Sequence, residues 1–427
     1  MMEKGLSYKN KKVVVVGMAR SGIAAGHLLR EAGAEVFLSD SGSQEKIKAS
    51  AEDLRRKGFI VEIGGHTLDF IRNKDLLVVS PGVSNTSEAL RWADTLRIPV
   101  ISEIELAWSL CPATVIAVTG TNGKTTVTTL MAKVLEASGK KALALGNIGR
   151  PFSQEVLNLT KDDFVSLEVS SFQLETIRNF KPRVSVILNL TPDHLDRYKD
   201  MREYFQAKKR IFMNQDEHDF TVLNYDDPSL RVLSQETRAK TVFFSMHNHL
   251  KSGESNLNPN HLAVKAVATI FAIPDAVSDE VFCNFKGVEH RMEVVRTINE
   301  IDFINDSKAT NVDSTVWALH TIHKPAFLIA GGRDKKSDYR QIASVMKLKV
   351  KLLVLFGEAK DKIRAALNGV LPITEVSSLE EAVKVSFSNA QPGDCVLLSP
   401  MCASFDMFEN YEHRGKVFKE IVNRLTG

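Results

Sequence analysis

The stretch Thr119-Gly120-Thr121-Asn122-Gly123-Lys124-Thr125-Thr126 follows a β-branched run, Thr114–Val118. It precedes Val127, Leu130, Met131, Val134 and Leu135, which share one face at helical spacing. Strand, glycine loop and helix in that order form the context of a phosphate loop. Gly120 and Gly123 let successive N–H groups turn inward toward an anion, and the helix start adds unpaired donors and partial positive charge. Thr121, Asn122 and Thr126 complete the cradle, Lys124 can bridge terminal phosphates, and the Thr125 hydroxyl can ligand Mg²⁺. A strict Walker pattern would place glycine at Val118, so the loop is a variant with Gly120 two positions later.

Outward from this loop, strand-like and helix-like runs alternate, which predicts parallel α/β units. Upstream, Val13–Val16, Val36–Leu38, Leu76–Val79 and Val100–Ile101 read as buried strands, with a helix over Ile23–Ala32. Downstream, strands are expected at Phe164–Leu167, Val184–Leu188 and Thr221–Leu223, then a helix over His261–Ile273. A third set covers Val294–Ile298, Ile301–Ile304, Ala326–Ile329, Leu352–Phe356 and Cys395–Leu398. The expected fold is therefore α/β with three domains. A Rossmann-like domain spans 1–103, a central P-loop-type ATPase domain with a mostly parallel sheet spans 104–287, and a Rossmann-like domain spans 288–427.

Parallel strands deliver catalytic groups at their C-terminal ends. Glu168 and His194 both follow strands of the central block. Read alone they are a capping acid and a loop histidine; beside a phosphate loop they become candidate Mg²⁺ ligands, although magnesium prefers oxygen to imidazole. Lys208 lies in a helical pattern, Tyr204–Phe212, beside Lys209 and Arg210, which by itself reads as a solvated basic face.

In the first block, Gly17-Met18-Ala19-Arg20-Ser21-Gly22 approximates a dinucleotide-binding turn, with Asp40 ending the next strand. Ala19 stands where a glycine would admit the pyrophosphate, which argues against an NAD-dependent oxidoreductase. A different nucleotide could use Asp40 and Ser41, with Ser80 in a second tight turn. In the third block, polar loops at 306–311, 331–335 and 399–406 each follow a strand and can converge on one cleft.

The chain has 427 residues, 44% hydrophobic and 25% charged, with a net charge of +3. That is ordinary globular composition with length for about three domains. So small a net charge suggests no nucleic-acid or membrane partner, and anions must be held by local groups. The four cysteines, Cys111, Cys283, Cys395 and Cys402, form no CxxC pair, which predicts reduced thiols. No apolar run approaches the ~18 residues of a membrane span, and no secretory signal is present, so a cytoplasmic protein is expected.

Taken together, these motifs resemble the Mur ligase family over essentially the whole chain. They are TGTNGKTT, GNIG (146–149), EVSSFQLE (168–175), NLTPDHLDRY (189–198), EHRME (289–293), NDSKATN (305–311), GGRDKKSDY (331–339) and SPMCASFDMFENYEHRG (399–415). Within the family the third-block motifs favour the branch that adds D-glutamate to UDP-N-acetylmuramoyl-L-alanine in peptidoglycan synthesis. The resemblance implies a monomer whose three domains bind the UDP substrate, ATP and the amino acid. It implies that Lys124 holds phosphates, that Thr125 and Glu168 ligand one Mg²⁺, and that His194 and a carbamylated Lys208 serve a second. Arg20, Ser21, Asp40, Ser41, Ser80 and Asn147 would contact the UDP substrate, and Arg291 and Asp306 the ATP. Thr310, Lys335, Ser404, Phe405 and Tyr411 would surround D-glutamate. The family's usual adenine-contact pattern is replaced by Gly253-Glu254-Ser255-Asn256-Leu257-Asn258-Pro259-Asn260, which leaves Asn256 or Asn260 as the candidate. Phe405 and Tyr411 stand where leucine and phenylalanine are commoner. The competing readings are a related amide ligase such as folylpolyglutamate synthase, the oxidoreductase, and a transport or switch ATPase.

Overall fold

The structure is a computed structural model that describes residues 7–251 and 257–426. It holds three sheets. The first has β1 (Lys12–Val16), β2 (Glu35–Asp40), β3 (Ile60–Ile63), β4 (Leu76–Val79) and β5 (Val100–Ser102), in the order β3-β2-β1-β4-β5. All its pairings are parallel, and β1 and β4 are almost fully buried, as their unbroken valine and leucine runs require.

The second sheet has β6 (Thr114–Thr119), β7 (Ala142–Gly146), β8 (Phe164–Glu168), β9 (Val184–Ile187), β10 (Phe220–Asn224) and β11 (Lys240–Phe244). Its order is β11-β10-β9-β6-β8-β7, again wholly parallel. The phosphate loop therefore leaves a central strand, flanked by β8 and β9. The helix Lys124–Ala137 follows and buries Val127, Leu130, Met131, Val134 and Leu135 against helix Pro259–Ile270 and the sheet. The helix expected over His261–Ile273 stops at Ile270, because Ala272 takes a left-handed φ of 53°.

The third sheet has β12 (Glu293–Ile298), β13 (Ile301–Asn305), β14 (Ala326–Gly331), β15 (Val350–Phe356), β16 (Ile373–Glu375) and β17 (Cys395–Leu398), in the order β12-β13-β17-β14-β15-β16. Its interior pairings are parallel, as the α/β alternation predicts, and one edge is not. The β12–β13 pair is an antiparallel hairpin, turned by Asn299 and Glu300 at φ values of 49° and 62°. A two-residue turn cannot return a strand in parallel.

The described chain falls into two compact units. One comprises Met1–Leu190 and Arg202–Phe285, the other Thr191–Met201 and Lys286–Gly427. The first unit holds the first two sheets because one apolar cluster runs through both, from Val13 and Leu38 to Leu167 and Phe180. Helix Glu103–Leu110 joins them and is buried around most of its circumference. Its two acids both point inward. Glu105 accepts the backbone N–H groups of Arg178, Asn179 and Phe180 at 2.8–2.9 Å. Glu103 accepts both the N–H and the hydroxyl of Ser153 at 2.6 Å, and burial pushes its carboxyl up. All four cysteines are free thiols. No helix among the described residues is long and apolar enough to cross a membrane.

Candidate active site

In the first unit the phosphate loop is shaped by glycine. Gly123 caps the helix Lys124–Ala137 at φ 83°, and a Cβ there would stand 2.4 Å from Asn260 Oδ1. Asn260 thus touches the loop, whereas Asn256 lies outside the described residues. Asn189, at the end of the strand next door, fixes the turn. Its Oδ1 accepts the N–H groups of Thr121 and Asn122 at 3.1 and 2.9 Å, and its Nδ2 donates to Asn122 O at 3.1 Å. Lys124 Nζ donates to the carbonyls of Gly120 and Thr121 at 3.0 and 2.7 Å, folded back over its own loop.

The neighbouring strand brings Glu168 to the same place. The Thr125 hydroxyl donates to Glu168 Oε2 at 2.7 Å, and Asn147 Nδ2 donates to Oε1 at 3.0 Å. Both Thr125 and Glu168 are buried. A buried carboxylate and hydroxyl beside a phosphate loop form a hard-oxygen donor set suited to Mg²⁺. Asn147, expected at the UDP substrate, is engaged by this carboxylate.

Lys208 overturns the solvated-face reading of its helix. The helix spans Met201–Lys209, and Lys208 is 1% exposed while Lys209 forms an ion pair with Glu236. Lys208 Nζ donates to Gly120 O at 2.8 Å and lies 4.5 Å from the centre of the Tyr204 ring. Adjacent helix positions point about 100° apart, so neighbouring lysines cannot share one face; position 208 faces inward with Tyr204 and Ala207.

In the first sheet, Asp40 Oδ2 accepts Met18 N at 2.6 Å and its Oδ1 accepts Gly42 N at 2.8 Å. Ser80 Oγ donates to Gly17 O at 2.9 Å, so the two tight turns are tied together. Arg20 and Ser41 are exposed and Ser21 is half-buried. A Cβ on Gly149 would lie 3.6 Å from Arg20 Nη1, which sets Arg20 beside the 146–149 turn.

The second unit gathers the remaining candidates. Lys335 Nζ contacts Asp193 Oδ1 at 3.0 Å and Thr310 Oγ1 at 3.5 Å, and Asn311 Nδ2 donates to Asp193 Oδ2 at 3.0 Å. Burial opposes ionisation of Asp193, but Lys335, His194 and Asn311 outweigh it and hold its carboxyl well below the usual range. His194 follows at a left-handed φ of 57°, its Nε2 3.6 Å from Asp193 Oδ2. Sequence reasoning missed Asp193, although it sits inside the quoted NLTPDHLDRY motif.

Asp306 is fully buried, accepts the Ser399 hydroxyl at 2.9 Å and Met292 N at 3.3 Å, and is pushed up to about 6 by burial, with Arg291 opposing. Tyr411 receives a 2.9 Å hydrogen bond from Lys308 Nζ at its hydroxyl. Ser404 is buried, while Phe405 is 62% exposed.

Three family models cover the chain. The Mur ligase MurD-like N-terminal domain matches residues 11–102, the Mur ligase middle domain 118–287, and the Mur ligase glutamate ligase domain 290–402. A UDP-N-acetylmuramoylalanine–D-glutamate ligase from Koribacter versatilis is 40% identical, covering 99% of each chain. One of the same name from Pelotomaculum thermopropionicum is 41% identical, covering 98% of each. Among solved structures, a MurF ligase from Thermotoga maritima in complex with ADP matches with a TM-score of 0.61 at 16% identity, over 98% of this chain and 96% of that one.

Proposed function

The chain belongs to the Mur ligase family, and on that footing we propose that it joins D-glutamate to UDP-N-acetylmuramoyl-L-alanine at the expense of ATP, in the cytoplasmic stage of peptidoglycan synthesis. The observation that carries this reading is the buried Thr125–Glu168 pair beside a glycine-shaped phosphate loop, in a chain about 40% identical over its length to ligases of that name. A bare carboxylate acylates poorly. In the first step, an oxygen of the L-alanine carboxylate attacks the γ-phosphorus of ATP, and the bridging bond to the β-phosphate breaks to release ADP. The D-glutamate nitrogen then attacks the acyl carbon, the C–N bond forms, phosphate leaves with the bonding pair, and the amine loses a proton. Both partners of the first step are anionic, so fixed positive charge and oriented N–H groups must lower the barrier.

Lys124 and the N–H groups of residues 120–126 orient the triphosphate. Thr125 and Glu168 would hold one Mg²⁺, which when bound neutralises charge on the phosphates. Lys208, as a carbamate, would present oxygen rather than ammonium, and with His194 would serve a second ion. Asn260 is the adenine-side candidate, and Arg291 and Asp306 belong to the nucleotide's phosphates and ribose. Arg20, Ser21, Asp40, Ser41, Ser80 and Asn147 are assigned to the UDP substrate. Thr310, Lys335, Ser404, Phe405 and Tyr411 are assigned to D-glutamate. We accordingly divide the chain, taken as a monomer, into a UDP-substrate domain at 1–103, an ATP domain at 104–287 and an amino-acid domain at 288–427. The test is ATP-dependent phosphate release with UDP-N-acetylmuramoyl-L-alanine across D- and L-amino acids. Release that requires D-glutamate supports the reading, and release indifferent to any amino acid sinks it.

A further inference from the structure

We infer that Arg414 is a positioning residue for amino-acid recognition: its buried guanidinium holds in register the three loops that carry the D-glutamate candidates. The inference rests on the assignment of those loops to D-glutamate. Arg414 is fully buried, and every hydrogen bond found for its guanidinium runs to a carbonyl or hydroxyl oxygen. Nε donates to Ser307 Oγ at 3.0 Å and Nη2 to Ser307 O at 2.9 Å. Nη2 also reaches Cys402 O at 3.2 Å, and Nη1 lies 3.5 Å from Ala403 O. Ser307 sits between Asp306 and Lys308, three residues before Thr310. Cys402 and Ala403 immediately precede Ser404 and Phe405.

The third loop joins at the same point. Gly332 has φ 132°, and a Cβ there would fall 2.2 Å from Ala403 O and 3.2 Å from Arg414 Nη1. Arg333 then bridges to Ala403 through its backbone, with N–H donating to Ala403 O at 2.8 Å, two residues before Lys335. Ser307 closes the network by donating its hydroxyl to Tyr411 O at 2.8 Å. These loops leave β13, β14 and β17, which are neighbours in the sheet, so their spacing depends on what fills the gap above the strand ends. A planar fork with five donors fits several carbonyls at once; a lysine ammonium is a single point of charge and does not.

Arg414→Lys keeps the charge and removes the fork. We expect its KM for D-glutamate to rise roughly tenfold or more, the scale of one or two charge-assisted hydrogen bonds. KM for the UDP substrate, whose assigned residues lie outside these loops, should change by less than about twofold. Unchanged KM for D-glutamate, or an equal rise in KM for the UDP substrate, overturns the inference. If Arg414→Lys does not melt cooperatively, Ser307→Ala decides. It deletes one acceptor of the fork, and it should raise KM for D-glutamate selectively; no selective rise overturns the inference. Wild-type enzyme inactive with D-glutamate would instead remove the functional assignment on which this one rests.

Discussion

Lys335 Nζ lies 3.0 Å from Asp193 Oδ1, so the lysine assigned to D-glutamate already faces a carboxylate of the protein. Both groups are buried, and Asn311 satisfies the second oxygen of Asp193. The ammonium contacts Asp193 and Thr310, which leaves Lys335 one further donor for a ligand.

Asp193→Asn should strand Lys335 as an unpaired buried charge. Breaking such a pair from one side typically costs about 3–5 kcal/mol. Because the folded carboxyl sits below its unfolded value, the wild-type advantage is present above the ordinary carboxylate range and fades as pH falls below it. Denaturant unfolding at neutral and acid pH measures this. A deficit of equal size at both would refute the ion-pair account.

Lys124→Ala removes the ammonium that folds over the loop but leaves Asn189 holding the turn. Activity should fall by at least about 10²–10³, the usual loss for one transition-state donor, with little change in thermal unfolding. ATP-dependent phosphate release together with calorimetry checks both halves. Normal turnover would exclude the loop from the chemistry.

If Lys208 carries a carbamate, activity should drop in carbon-dioxide-depleted buffer and return with bicarbonate. Labelled bicarbonate should also give a carbamate ¹³C signal that Lys208→Arg lacks. The buried amine beside Gly120 O makes this the one lysine of its helix suited to such a group. Absence of the signal at saturating bicarbonate would dismiss the modification.

Asp306 behaves oppositely to Asp193. Burial raises its carboxyl to about 6, so the stability it contributes is present in acid and is lost as pH rises through that value. Relative to wild type, Asp306→Asn should gain up to roughly 3 kcal/mol between about pH 4 and pH 7. Paired unfolding curves at several pH values test this, and a pH-independent difference would contradict it.

Short-range features were legible in the sequence because each is written in consecutive residues. The loop from Gly120 to Thr126 carries its glycines, lysine and threonine side by side, and its strand and helix show their own periodicity. The apolar runs placed the long central strands. The strands β3, β7, β11 and β16 escaped notice: Glu62 interrupts β3, β16 has only three residues, and β7 and β11 are short runs of five at or near the sheet edge. The parallel expectation missed the β12–β13 hairpin because strand direction depends on the turn, not on apolar content.

What the sequence by itself determined is the phosphate loop, the α/β alternation and the motifs that mark the family, all set by local chemistry and chain order. Tertiary structure decided which charges lie inside. Lys208 meets Gly120 O across 88 residues, Asp193 meets Lys335 across 142, and Arg414 meets Ser307 across 107. Helical periodicity can put a lysine on a face, but only the packing of the sheet says what covers that face. Once water is excluded, an ionised group must find a partner wherever the chain supplies one.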